Sequence, residues 1–343
     1  MSVAQPEPNP RPTIRISVNE LQDRLIAAFI NDGLPVDAAT HSAEALVEAE
    51  CAGKSSHGLI RLDFVSSHTR LKQPGPVVFG GSGPCHLAVD GNRHMGYHPG
   101  VLALERGCDI ASQTGLCLVA IRNIGHSGML AFYARRIARK GYWGMVFGHC
   151  TALMAPHGGS RSIFGTNPLA LGIPGGEGAP LAIDFSPAAT TFGAVTVAAQ
   201  TGCSLPEGLA LDGAGRPSVD PAAVMDGGAL LPAGGHKGSA LALMVQLLCG
   251  ALGGAGPLPA KSTDYGLCFL IIRPDLFRPA GETATAVDTI LAAVSGCPPL
   301  VGHAAVRVPG EQSSRAIAAA LQHGLDVDRG LWEKLLDLAG RST

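Results

Sequence analysis

The sequence is short of charge. Asp, Glu, Lys and Arg make up 15% of its 343 residues, with a formal net charge of −2. The 25 basic residues form no long run, which argues against a basic face for nucleic acid or for an anionic membrane surface. No long apolar run occurs either: Ala240 to Leu252 is the most apolar stretch, and a bilayer crossing needs roughly 20 residues. None of the nine cysteines is spaced as Cys-x-x-Cys. They are expected as reduced, mostly buried thiols of a cytoplasmic protein, with no metal centre. The proline-rich N-terminus, MSVAQPEPNPRPTIR, lacks an apolar core and reads as a flexible lead-in, not a signal peptide.

Familiar nucleotide signatures are missing as well. Gly-x-Gly occurs at Gly81, Gly176, Gly213 and Gly254, each time without the third glycine of a dinucleotide-binding loop. A phosphate loop of the form G-x-x-x-x-G-K-[ST] and a G-x-S-x-G nucleophile elbow are also absent.

What is present suits a well-buried enzyme with many tight turns: 46% hydrophobic residues and 46 glycines. Ser17-Val-Asn-Glu20 predicts a capping box before a helix carrying Leu21, Leu25, Ile26 and Phe29 at helical spacing. Asp37 is the expected cap of a second helix running toward Cys51, and a third is expected from about Pro99 to Gly115. Strands are expected at Leu116–Ile121, Gly144–Phe147, Cys268–Ile272 and Ala304–Val308. Helices are expected at Met129–Lys140, Gly235–Leu252 and roughly 284–295, 312–323 and 328–339. The division is a mainly helical region over 1–118, an α/β region over 119–280, and a helical region over 281–343 that packs with the first.

Four constellations carry chemistry. In Ser55-Ser56-His57-Gly58-Leu59-Ile60-Arg61, a helix starting here would put His57 and Arg61 one turn apart on one face. The guanidinium could grip a carboxylate while the imidazole handles a proton and Ser56 orients the ring. A helix-end His with a solvated Arg fits the same spacing. Gly125-His126-Ser127-Gly128 follows a strand and precedes a helix, where free amides can bind phosphate; an ordinary strand–helix turn is the plainer reading. Phe164-Gly-Thr166-Asn167-Pro168 is a structured loop that could present Thr166 and Asn167 to a cleft. Gly234-Gly235-His236-Lys237 opens an apolar helix, which is either an anion site or a capping turn. Asp184 ends an apolar run and would matter if it lay beside His57, where it could hold the ring's tautomer.

Taken in this order, the four segments and Arg307-Val-Pro-Gly310-Glu311 resemble the type-2 malate/L-lactate dehydrogenase family from about Ser17 to the end. The resemblance implies an α/β fold unrelated to the Rossmann dehydrogenases, with a mixed sheet and a helical domain built from both termini. It implies His57 as proton donor, with Ser56 and Asp184 as relay partners. Arg61 and Thr166 would bind the substrate. Cofactor contacts would come from His126, Ser127, Gly128, Met129, Leu130, Asp184, Phe185, Ser186, His236, Lys237, Arg307, Gly310 and Glu311. One departure is clear: where the family commonly reads Asp-x-Ala-Thr-Ser, this chain reads Asp184-Phe-Ser-Pro-Ala188. Contacts through the lost polar side chains are placed in doubt, and backbone contacts are not.

The segment Asp226 to Ser239 is similar to the branch that reduces Δ1-pyrroline-2-carboxylate and Δ1-piperideine-2-carboxylate, where malate- and lactate-type members more often carry Tyr in place of His236. That resemblance implies NADPH as cofactor, with NADH weaker, products L-proline and L-pipecolate, and a homodimer. The alternative within the family is a 2-hydroxy-acid dehydrogenase acting on malate, lactate, ureidoglycolate or sulfolactate. The partner in either case is a small imino or oxo carboxylate.

Overall fold

The computed structural model describes residues 12–175 and 180–340. The Gly176-x-Gly178 stretch and the N-terminus through Arg11 lie outside the described residues.

The chain runs β1 (Thr13–Ile16), α1 (Val18–Asn31), α2 (Val36–Cys51), two short 3-10 turns (Ser55–His57 and Leu59–Arg61), α3 (Leu62–Lys72), β2 (Val78–Gly83) and β3 (His86–Asp90). It continues through α4 (Tyr97–Thr114), β4 (Leu116–Ile124), α5 (Ala131–Arg139), β5 (Trp143–His149), β6 (Leu169–Ile173) and β7 (Leu181–Phe185). A looser segment holds α6 (Phe192–Thr201), β8 (Ala210–Leu211), α7 (Pro221–Met225) and β9 (Ala229–Leu230). Then come α8 (His236–Gln246), continued by a π-helical turn over Leu247–Leu252, β10 (Tyr265–Ile272), α9 (Ala280–Ser295), α10 (Glu311–His323), β11 (Leu325–Asp328) and α11 (Arg329–Ala339).

The main sheet has seven strands in the order β2-β3-β4-β10-β5-β6-β7, antiparallel except for the parallel β3–β4 pair. The central strands β10 and β5 are covered on both faces and apolar on both sides, while β3 alternates buried and exposed residues. Cys117, Val119 and Ile121 of β4 alternate onto the face covered by α4 and are fully buried. Val245 and Cys249 pack with Cys268 on the opposite face. Gly107 lets α4 come close, since a Cβ there would lie 2.7 Å from Ile271 and 2.9 Å from Val119.

The two ends of the chain meet. β1 pairs antiparallel with β11, Arg15 bonds Asp326 at 2.6 and 2.7 Å, and α11 packs on α1. The mixed sheet with helices drawn from both termini is therefore as the resemblance implied. Among the described residues, no helix is long and apolar enough to cross a membrane.

Several local expectations are corrected. Thr13 to Arg15, read as lead-in, belong to β1, because β11 supplies its hydrogen bonds. Asp37 lies inside the first turn of α2, whose cap position is Pro35 and has no side-chain bond. Ala304–Val308 forms no strand. The sheet also begins earlier than residue 119, because β2 and β3 belong to it. The Ser17 cap holds: its side chain accepts the Glu20 amide at 3.1 Å.

Candidate active site

The site is built on the ends of secondary structure. His57 and Arg61 do not share a helix, because Gly58 breaks the chain into two 3-10 turns. The turns still hold both groups close: Arg61 Nε donates to the Ser56 carbonyl at 2.7 Å, and Ser56 Oγ lies 3.0 Å from His57 Nδ1. The α6 start lies beside them, since a Cβ on Gly193 would sit 3.5 Å from Ser56 Cβ.

The turn after β4 brings His126 onto this pair. The two imidazoles stack with centroids 5.9 Å apart, and Phe64 and Tyr97 close the sides. Gly128 N–H donates to His126 Nδ1 at 3.2 Å, which leaves that nitrogen an acceptor and places the proton on Nε2. Burial pushes His57 down to about 4, helped by the positive charges of Arg61 and Lys54; His126 is pushed well down by burial, Arg61 and His57. Both rings are neutral at physiological pH.

Asp184, at the end of β7, bonds elsewhere than the sequence alone left open. Its Oδ2 accepts the Ala131 amide at 2.8 Å, at the start of α5. Burial raises its pKa, opposed by that bond, by Arg135 and by Lys54. No bond from Asp184 to His57 is found among the described residues. Asp184 therefore serves the Ala131 amide at the α5 start, and within the preceding turn the Gly125 amide goes to the His94 carbonyl and the Gly128 amide to His126.

The end of β7 is the hub that gathers the other segments. Ser186 Oγ donates to the Thr166 carbonyl at 2.7 Å and accepts the Ala188 amide at 3.1 Å. The Pro187 carbonyl accepts the Ala233 amide at 2.7 Å, and Ala189 N–H donates to Leu231 O at 2.8 Å. These bonds tie Pro187-Ala188 to the segment before α8. Gly310 lies against the Ala182 backbone, which sets the start of α10, and with it Glu311, beside β7; Arg307 stands in the loop before it and bonds Gln312. His236 and Lys237 are exposed at the α8 start, behind Gly234 and Gly235, both at positive φ. Gly234 has nothing but Lys237 Cβ, 3.9 Å away, near where a side chain would stand. An open glycine corner beside an ammonium fits a phosphate-bearing ligand. The Thr166 carbonyl accepts from Ser186 and the residue bonds Cys150; no hydrogen bond from Thr166 to the His57 turn is found among the described residues.

Sequence reasoning missed Lys54, whose charge acts on both His57 and Asp184. Its place directly before Ser55 was the available signal. It also missed Tyr97, buried behind His126 with its hydroxyl 3.3 Å from Nδ1. That contact joins the start of α4 to the turn after β4 and has no local signature.

The profile of the malate/L-lactate dehydrogenase family matches residues 16–336. The chain is 32% identical over 346 residues to the Δ1-pyrroline-2-carboxylate/Δ1-piperideine-2-carboxylate reductase of Pseudomonas syringae pv. tomato, covering 96% of this chain and 98% of that one. It is 38% identical over 245 residues to the (2R)-3-sulfolactate dehydrogenase (NADP(+)) of Chromohalobacter salexigens, covering 70% and 72%. A crystal structure of a dehydrogenase from Sinorhizobium meliloti superimposes with a TM-score of 0.87 at 31% identity, covering 96% and 99%.

Proposed function

The chain belongs to the malate/L-lactate dehydrogenase family of NAD(P)H-dependent oxidoreductases, and from that premise we propose that it reduces a cyclic imino carboxylate with NADPH. Δ1-Pyrroline-2-carboxylate would give L-proline, and Δ1-piperideine-2-carboxylate L-pipecolate. The observation that carries this reading is the surroundings of His57: a serine, a neutral imidazole and two cations, with no carboxylate bonded to the ring among the described residues.

The cofactor supplies the hydride; the rest falls to the chain. Hydride addition to a carbonyl carbon leaves an alkoxide that needs a proton, and a half-buried His57 pushed down to about 4 favours its neutral form at pH 7. A bound substrate carboxylate would offset Arg61, but not the burial, which is the larger cause. A cyclic iminium arrives with its proton, and hydride addition to its carbon leaves a neutral amine. In that chemistry His57, donating Nδ1–H to Ser56, accepts the iminium N–H at Nε2, and Arg61 pairs with the carboxylate. Lys237, His236 and Arg307 would hold the phosphates of the nucleotide.

Kinship with an imine reductase at 32% identity supports the substrate class. A relative named for NADP(+) supports the cofactor. Kinship with a sulfolactate dehydrogenase favours the second reading, a 2-hydroxy-acid dehydrogenase. Following NADPH absorbance with both cyclic imines, oxaloacetate and pyruvate separates them. Under the first reading an imine leads in kcat/KM by at least about tenfold, roughly 1.4 kcal/mol of transition-state binding; an oxo acid in the lead supports the second.

A homodimer is part of the proposal. α9 has no buried residue and exposes Ile290 and Val294, while the α8 region exposes Met244, Leu247 and Leu252. Apolar area of this kind favours a second copy. Light scattering giving a monomer mass would remove it.

A further inference from the structure

A carboxylate stands behind the site without taking part in its chemistry. Glu50 lies in the last turn of α2, partly buried, with no ion pair found for it among the described residues. Burial raises its pKa above the ordinary range, and two hydrogen bonds oppose the rise. A desolvated carboxylate lacking a cation is costly, so its two bonds matter.

Both bonds go to the active-site turn. Oε1 accepts the Leu59 amide at 2.7 Å, and Oε2 accepts from Ser55 Oγ at 2.9 Å. One carboxylate therefore holds the chain on either side of Ser56, His57 and Gly58. A Cβ on Gly58 would lie 2.6 Å from Cγ and Cδ of Glu50, so the glycine leaves this carboxylate its place. Arg61, bonded to the Ser56 carbonyl, closes the same loop from its other side.

We propose that Glu50 is a positioning residue for the reaction, fixing residues 55–61 so that His57 and Arg61 meet the substrate together. This rests on assigning those two residues to substrate, but not on which substrate it is. Only space and two acceptor or donor contacts are required, so an isosteric amide serves nearly as well as the acid. Its Oε1 still accepts from Leu59, and its amide group still reaches Ser55.

The test uses the full chain, NADPH, and whichever of Δ1-pyrroline-2-carboxylate and oxaloacetate the wild type reduces faster. In Glu50→Ala, kcat/KM falls at least about tenfold, through both a lower kcat and a higher KM, while the NADPH dissociation constant stays within about twofold. In Glu50→Gln, kcat/KM recovers to within about threefold of wild type. Amide exchange in Glu50→Ala quickens over residues 55–61 and not elsewhere, a readout that needs no substrate. The proposal is overturned if Glu50→Ala keeps kcat/KM within about twofold. It is equally overturned if the Gln variant is as impaired as Ala, if NADPH binding weakens in step, or if exchange over residues 55–61 is unchanged.

Discussion

The imidazole of His57 lies on that of His126, with planes 23° from parallel and centroids 5.9 Å apart. His126 is fixed as the Nε2–H tautomer by the Gly128 amide. A proton on His57 would put a cation against this stack and beside Arg61 and Lys54. Neutrality is the state this arrangement favours.

His57 and Arg61 are separable by kinetics. His57→Ala is expected to lower kcat about tenfold to a hundredfold, less than the upper range of about 10⁴ seen when a proton-transfer group is lost. Arg61 pairs with the carboxylate in both ground and transition states, so Arg61→Ala should mainly raise KM. Equal effects of the two substitutions on both constants would contradict the division of roles.

Asp184 is expected to act through stability. Its carboxylate serves the α5 start and lies near buried Arg135, whose Nη1 has no hydrogen-bond partner among the described residues. Asp184→Ala should cost about 1–3 kcal/mol in urea unfolding, with Asp184→Asn costing less. A relay to His57 would show the reverse pattern: kcat lost and stability kept.

Lys237 is exposed at the α8 start, so its removal leaves the fold intact. Lys237→Ala should weaken NADPH binding about tenfold, close to 1.4 kcal/mol. An unchanged dissociation constant by nucleotide fluorescence would move the phosphates elsewhere.

The histidines give the fold an acid-side weakness. His41, His57, His68, His94, His98, His126 and His149 are all held below their usual value, chiefly by burial. Their unfolded forms take up protons near 6.5, while the native rings stay neutral; His57 and His98 do so to about 4. Stability is therefore full above about pH 6.5 and drains as pH falls toward 4. Glu50 and Asp184, held high, act in the opposite direction but are two groups against seven. The melting temperature should be lower at pH 5 than at pH 7.5; equal values would contradict the burial of these rings.

Periodicity carries its own local physics, and the elements it marks are the ones the sequence makes legible. Leu21, Leu25 and Phe29 mark α1, and the Ser17 cap needs only neighbours three residues away. β1 is invisible because its stabilising partner, Leu325–Asp328, is some 300 residues distant. The site shows the same split. Ser56 and His57 are adjacent in sequence and in space, but the stack on His126 and the Asp184–Ala131 bond are products of sheet order. Glu50 gives no signal because its role depends on where the chain turns after α2.

The most direct measurement is kcat/KM for Δ1-pyrroline-2-carboxylate from pH 6 to 9, for wild type and His57→Ala side by side. If the proton arrives with the imine, both proteins lose activity as pH rises, with one common midpoint set by ionisation of the free substrate. A limb present in wild type and missing from His57→Ala would mean that His57 supplies the proton, and would contradict a neutral imidazole waiting for an iminium.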